Sequence, residues 1–251
     1  MEYFQHIVYF VIGAVLGSFY NVIIYRLPRG MSIVKPSSHC PACGTPIRWY
    51  NNIPIVSYLL LRGRCAYCGA SIPLRYPLVE LSSGSLAVLC ALKWQEPISA
   101  LVFYVFFSIL LVASLIDWDT FTLPDSLTLG GLAFGLISSL FREDFSFVDS
   151  LVGSLSGAVP FLLIYLYYVK LRRFEGLGFG DVKLMAFIGS VGGVWAVAYG
   201  VFIGSVLGLL YALPLVIKNR SFQFAVPYGP FLSLGCFLGL IFDLKRFILS
   251  S

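Results

Sequence analysis

Charge is scarce in this sequence, and acid is absent from most of its first third. Only 12% of residues are charged, against 59% hydrophobic and 16% aromatic, which excludes an ordinary water-soluble globular domain. No Asp or Glu occurs from Tyr3 to Val79. Residues 1–25 lack a basic n-region and a small-residue cleavage pattern, so they are expected to stay as a permanent helix rather than to leave as a signal peptide. There is no glycine-rich dinucleotide fingerprint and no internal repeat.

What is present is a series of uncharged apolar runs. Ile7–Tyr25, Ile98–Ile116 and Ser150–Val169 are long enough to cross a hydrocarbon core of about 30 Å as helices. Pro77–Trp94, with Glu80 near its start and Lys93 at its end, Ser126–Phe141 and Val226–Phe242 are shorter or less clean. Leu184–Ile217 would be about 50 Å long as one helix, and Gly192 and Gly193 offer the break that makes it two. The expected fold is therefore an all-α polytopic membrane protein with about eight transmembrane helices. It is organised as one membrane-embedded domain, 1–251, with a loop at 27–76 inserted between the first two spans and a helical bundle at 77–251.

The acid-free segment carries Arg26, Arg29, Lys35, Arg48, Arg62, Arg64 and Arg75, which places that loop in the cytoplasm. With eight spans and the N-terminus outside, thirteen Lys and Arg fall inside. Only Lys93, Arg142, Lys245 and Arg246 are left outside. The net charge of +5 then reflects membrane orientation and gives no reason to invoke nucleic acid.

Within the basic loop stand Cys40, Cys43, Cys65 and Cys68, as two Cys-x-x-Cys-Gly knuckles separated by twenty-one residues. Each knuckle presents two thiolates on one side of a tight turn, with Gly44 and Gly69 free to take positive φ, so four sulfurs can close a tetrahedron around a structural zinc ion. The alternatives are two disulfides, which a reducing cytosol disfavours, and four unligated thiols. His39 reads as a plain loop residue, and Cys90 and Cys236, inside spans, as small apolar packing residues.

Carboxylates at membrane depth are costly and point to function. Asp117 follows a nineteen-residue apolar run, and Asp181 stands in Gly178-Phe-Gly180-Asp181-Val-Lys183 before another. Both fall at cytoplasmic helix ends in the expected topology. Two carboxyls held close in a low dielectric cannot both ionise readily, so one can polarise a carbonyl while the other activates water, which is the chemistry of peptide hydrolysis. An ion-coupling pair in a secondary transporter fits the same residues, as does a noncatalytic scaffold with a zinc-dependent docking loop. Gly178 and Gly180 would let a substrate strand approach the second acid. Asp125, just before Ser126 at the start of a span, reads as a helix cap, and Lys183 as either an anchor or a charge that tunes Asp181.

Several ordered motifs extend the pattern: Gly17-Ser-Phe-Tyr-Asn-Val-Ile-Ile-Tyr-Arg-Leu-Pro28, the two cysteine knuckles, Asn52-Ile-Pro-Ile-Val-Ser-Tyr58, Arg75-Tyr-Pro-Leu-Val-Glu80, Leu115-Ile-Asp117, Leu123-Pro-Asp125, Gly178-Phe-Gly-Asp-Val-Lys-Leu184 and Pro227-Tyr-Gly-Pro230. Together they resemble the type IV prepilin peptidases, also called prepilin leader peptidases and N-methyltransferases, over nearly the whole chain. Departures are small, chiefly Tyr20 for an aliphatic residue and Asn51 for an acid.

The resemblance implies a helical bundle of the Gly-x-Gly-Asp intramembrane aspartyl protease kind, in the bacterial inner membrane, with Asp117 and Asp181 as the catalytic pair facing the cytoplasm. It implies substrates that are prepilins or secretion-system pseudopilins, with a short basic leader before a hydrophobic helix. The four-cysteine loop is associated with the branch that also methylates the new N-terminal amine with S-adenosylmethionine, for which Asn21, Arg26 and Glu80 are candidate residues. By their residue types alone, Asn21 could instead bond between helices, Arg26 anchor the chain and Glu80 pair with a base.

Overall fold

The computed structural model describes residues 2–173, 177–219 and 226–243; Arg220, Lys245 and Arg246 lie outside the described residues. The helices are α1 Glu2–Arg26, α2 Val56–Leu60, α3 Arg75–Lys93, α4 Pro97–Thr120, α5 Asp125–Ser138, α6 Phe147–Leu166, α7 Phe179–Asn219 and α8 Gly229–Ile241. Among the described residues, four helical stretches are long and apolar enough to cross a membrane: Tyr3–Arg29, Pro97–Thr120, Phe147–Leu171 and Phe179–Ile217. Asp125–Ser138 and Gly229–Ile241 are apolar but shorter, about 20 Å each. Large side chains such as Phe4, Leu163 and Phe202 are exposed, which in water would be an aggregation liability and in lipid is not.

Helix boundaries depart from the apolar runs for local reasons. α4 does not stop before its first acid: the Phe121 N–H reaches the Asp117 carbonyl (2.8 Å), so Asp117 sits inside the last turn rather than after it. α6 begins three residues before the expected Ser150, because Ser146 and Asp149 form a capping box that satisfies its first N–H groups. α7 is interrupted at Gly193 (φ 69°, ψ −168°), a conformation that only glycine adopts readily.

The chain forms two compact units, Met1–Tyr104 and Val105–Ser251. In the first, α1 lies against α3 along Gly13 and Gly17: a Cβ on Gly13 would stand 2.6 Å from the Ser83 carbonyl oxygen, and one on Gly17 2.8 Å from Glu80 Cα. Small residues four apart let two backbones touch where lipid offers no hydrophobic drive. The buried Ser83 hydroxyl donates to the Gly13 carbonyl (2.7 Å) and lies 3.0 Å from the Tyr104 hydroxyl.

In the second unit, the first half of α7 is the core. Leu184, Met185, Phe187, Ile188 and Val191 are fully buried, and Phe187 packs edge-on against Phe106 (5.2 Å). α6 approaches α7 so closely that a Cβ on Gly153 would meet the Gly189 carbonyl, and one on Gly157 the Met185 carbonyl. The second half of α7 meets α8 the same way, since a Cβ on Gly235 would stand 2.6 Å from the Gly204 nitrogen.

A break in an apolar helix leaves carbonyls without partners, and each must find one. Here Ser150 donates to the Ser190 carbonyl (2.6 Å) and Arg142 Nη1 to the Val191 carbonyl (2.8 Å). Arg142 is also held by Asp144 (2.9 Å) and lies over the Phe145 ring, whose edge covers Gly193. Arg142, expected as a flanking charge, is thus buried and props the break. Arg142→Met is expected to lower stability by about 1.5–3 kcal/mol, the worth of a charged hydrogen bond, as read by thermal unfolding in detergent. An unchanged midpoint would remove Arg142 from this role.

Candidate active site

In the first unit the segment between α1 and α3 folds into two matching turns. In one, Cys40 N–H bonds to the Thr45 carbonyl (3.0 Å) and Gly44 N–H to the Cys40 carbonyl (2.8 Å); in the other, Cys65 and Gly69 repeat the pattern with Ala70 and Cys65 (2.8 and 3.0 Å). Gly44 and Gly69 have φ of 69° and 71°, as the knuckle reading requires. The four sulfurs lie within 4.8 Å of one another, and Cys40 Sγ is 3.9 Å from Cys68 Sγ. A zinc–sulfur tetrahedron has edges of about 3.8 Å, so the donor set fits. His39 is outside the cluster, its Nδ1 beside the Ser37 carbonyl (3.0 Å).

The thiols are unevenly biased. The Thr45 hydroxyl, then its backbone N–H, hold the Cys43 thiol down at about 6. Cys65 is lowered by the Cys68 and Tyr67 N–H groups. At Cys68 the Ala70 N–H acts downward, but burial and the neighbouring thiols outweigh it and push the group up to about 11. Negative charge collecting on four adjacent sulfurs is what a divalent cation relieves. Purified protein is expected to carry about one zinc per chain, and Cys68→Ser or chelation to remove it and expose Arg48, Arg62 and Arg64 to trypsin. Metal analysis with no zinc and four titratable thiols would reject this.

Behind the loop lie three buried polar side chains. Asn21 Nδ2 donates to the Tyr76 carbonyl of α3 (3.1 Å), Arg26 Nη1 to the Ser32 carbonyl (3.0 Å), and Glu80 Oε2 accepts the Ile55 N–H (2.7 Å). Ile55 has φ of 62°, a strained setting for a β-branched residue, so Glu80 steadies an unfavourable turn.

The second unit holds the acids. Asp117, in the last turn of α4, and Asp181, in the first turn of α7, are 6% and 8% exposed. Asp117 Oδ2 accepts the N–H of Gly229 (3.1 Å), the first residue of α8, where a helix N-terminus favours negative charge. A Cβ on Gly229 would stand 2.8 Å from that oxygen and 3.5 Å from Leu123 Cδ1. Leu123 also fills the space over Gly180, 3.0 Å from where a Cβ would be. Leu123 and Gly229 therefore link the two acid-bearing turns.

Leu123 lies over the Cβ position of Gly180, and Gly178 faces the Asp181 carboxyl, with its Cβ position 3.3 Å from Oδ2. One expectation is corrected. Asp125 does not cap α5, whose N-cap is Pro124 with no side-chain bond. Instead it receives a charged hydrogen bond from Lys183. Asp119 is exposed.

Residues 11–94 match the bacterial peptidase A24 N-terminal domain, and residues 104–213 match the type IV leader peptidase family. A prepilin leader peptidase/N-methyltransferase of Pseudomonas putida is 34% identical over 92% of this chain and 88% of its own length. That of Neisseria gonorrhoeae is 36% identical over 89% and 86%. The chain belongs to the type IV leader peptidase family. A type 4 prepilin-like proteins leader peptide-processing enzyme of Escherichia coli is 38% identical over 89% of this chain and 88% of that protein. No solved structure gives a significant match. The cysteine cluster lies in the N-terminal match and both acids lie in the leader peptidase match. Gly229 lies beyond the second match, and sequence reasoning gave it no role, although Pro227-Tyr-Gly-Pro230 was a visible motif.

Proposed function

We propose that the chain is an aspartyl endopeptidase of the bacterial inner membrane that removes the leader from prepilins or pseudopilins and then methylates the exposed amine. The observation that supports this reading is that the turns bearing Asp117 and Asp181, 64 positions apart in sequence, share neighbours, since Gly229 bonds to Asp117 and Leu123 packs against both Gly229 and Gly180. One carboxyl keeps its proton and hydrogen-bonds the scissile carbonyl. The other takes a proton from water, whose oxygen adds to that carbonyl, and the proton passes to the leaving amine as the C–N bond breaks. The two acids titrate as a pair.

The eight-pass arrangement, N-terminus outside, is supported within the second unit. Asp117 at the end of α4, Asp125 at the start of α5, Lys183 at the start of α7 and Gly229 at the start of α8 meet at one end. The α5–α6 loop meets the Gly193 break at the other. Passes alternating from α4 through both halves of α7 to α8 require that grouping, and the positive-inside charges assign the first end to the cytoplasm. Zinc, held by Cys40, Cys43, Cys65 and Cys68, would fix the fold of the loop.

S-adenosylmethionine, when bound, supplies the methyl group. Asn21, Arg26 and Glu80 are the proposed holders: a guanidinium suits its carboxylate and a carboxylate suits its amine or ribose hydroxyls. The transporter reading finds no support in the relatives, whose names describe peptidases. The deciding experiment incubates purified protein with a candidate precursor, with and without S-adenosylmethionine, and weighs the new N-terminus. Loss of the leader in both arms, with 14 Da added only in the second, is expected from the mass of a methylene (about 14 Da) gained on N-methylation. An intact precursor in both arms would overturn the proposal.

A further inference from the structure

Two charged residues beside the acids are used by neither the hydrolysis nor the zinc site. Asp125 opens α5, and Lys183 stands two residues beyond Asp181 in α7. Lys183 Nζ donates to Asp125 Oδ1, and it also lies 5.2 Å from the centre of the Phe179 ring. The Lys183 side chain is 16% exposed and that of Asp125 65%. In sequence Asp125 reads as a helix cap and Lys183 as an anchor or a charge that tunes Asp181; in the structure Asp125 spends its carboxylate on Lys183 instead of on the α5 N-terminus.

What the pair joins is more telling than the pair itself. Only the short segment 121–124 separates the end of α4, which carries Asp117, from Asp125. That segment is fastened at Leu123, which packs over Gly180 and against Gly229, and at Asp125, which is bound to Lys183. Both fastenings land on the turn of α7 that carries Asp181. We propose that Asp125 and Lys183 are a positioning pair: their contact ties the loop leaving Asp117 to the turn bearing Asp181 and so sets the separation at which the two carboxyls share a proton. This rests on the peptidase reading above.

Physical reasoning separates this role from two others. An ion pair with one largely exposed partner adds little to stability, so its loss should leave the fold intact. Displacing a reacting group by a fraction of an ångström, however, is felt strongly in the rate. A lysine acting directly on the charge of Asp181 would need no Asp125, whereas a tie needs both ends. Residues that act only through each other give non-additive losses.

The test uses the full-length protein and a precursor that the wild type cleaves, with Asp125→Asn, Lys183→Met and the double variant. Each single change is expected to lower kcat about tenfold, with KM and melting temperature unchanged and the pH profile displaced alike in both, because separation governs how the pair titrates, and the double variant should be no slower than either. A hundredfold loss in the double variant, a loss confined to Lys183→Met with a displaced pH profile, or wild-type rates in both single variants would each overturn the tie. If the wild type itself fails to cleave, the peptidase reading falls first and the proposal with it.

Discussion

Asp117→Asn and Asp181→Asn are each expected to reduce leader cleavage on the order of 10³-fold, the range lost when a general acid or base is removed. The substitutions are nearly isosteric, and an asparagine at 117 still offers an oxygen to the Gly229 N–H (3.1 Å in the parent), so insertion and folding should survive. What is lost is the shared proton: an amide can neither take a proton from water nor give one to the leaving amine. Asp119→Asn supplies the control, because it lies in the same helix end but is exposed, and it should cleave at close to the wild-type rate. Cleavage is followed by the mobility or mass of the precursor at matched protein levels. Full cleavage by either the 117 or the 181 variant would end the aspartyl peptidase reading.

Gly229→Ala is the second large effect, and it follows from the packing alone. An added methyl carbon would stand 2.8 Å from Asp117 Oδ2, 3.5 Å from its Cγ and 3.5 Å from Leu123 Cδ1, closer than carbon and oxygen tolerate without movement. The carboxyl is the end of a side chain and can turn aside, but turning breaks its bond to the Gly229 N–H and shifts it against Asp181. A misplacement approaching 1 Å costs about 10²-fold in rate, so kcat should fall by one to two orders of magnitude with KM little changed. Gly130→Ala, in α5, meets nothing within 4 Å and should be silent. Equal activity in the two alanine variants would show that Asp117 does not need the α8 N-terminus.

The features legible in the chain were those governed by neighbours along it. Apolar runs marked the helices because each helix satisfies its own backbone and must be greasy to do so in lipid. The Gly192-Gly193 pair marked the break in α7, and the break stands at Gly193 with the positive φ expected of glycine. The cysteine knuckles were equally plain, since a Cys-x-x-Cys-Gly turn is built from five consecutive residues. Boundaries slipped where a local bond outweighed hydropathy, as with the Ser146–Asp149 capping box and the extra turn of α4 beyond Ile116.

By itself, then, the sequence determined the membrane class, the apolar runs that become the long helices, the pairing of two cysteine knuckles in one loop and the identity of two acids at helix ends. Only the tertiary structure decided that Gly229, 112 positions from Asp117, bonds to it, that Leu123 closes the space over Gly180, that Asp125 joins Lys183 rather than capping α5, and that Arg142 serves the carbonyl of Val191. The reason is physical: propensity, capping and turn chemistry act over a few residues, whereas the partner of a buried polar atom is whichever group helix packing brings within hydrogen-bond reach.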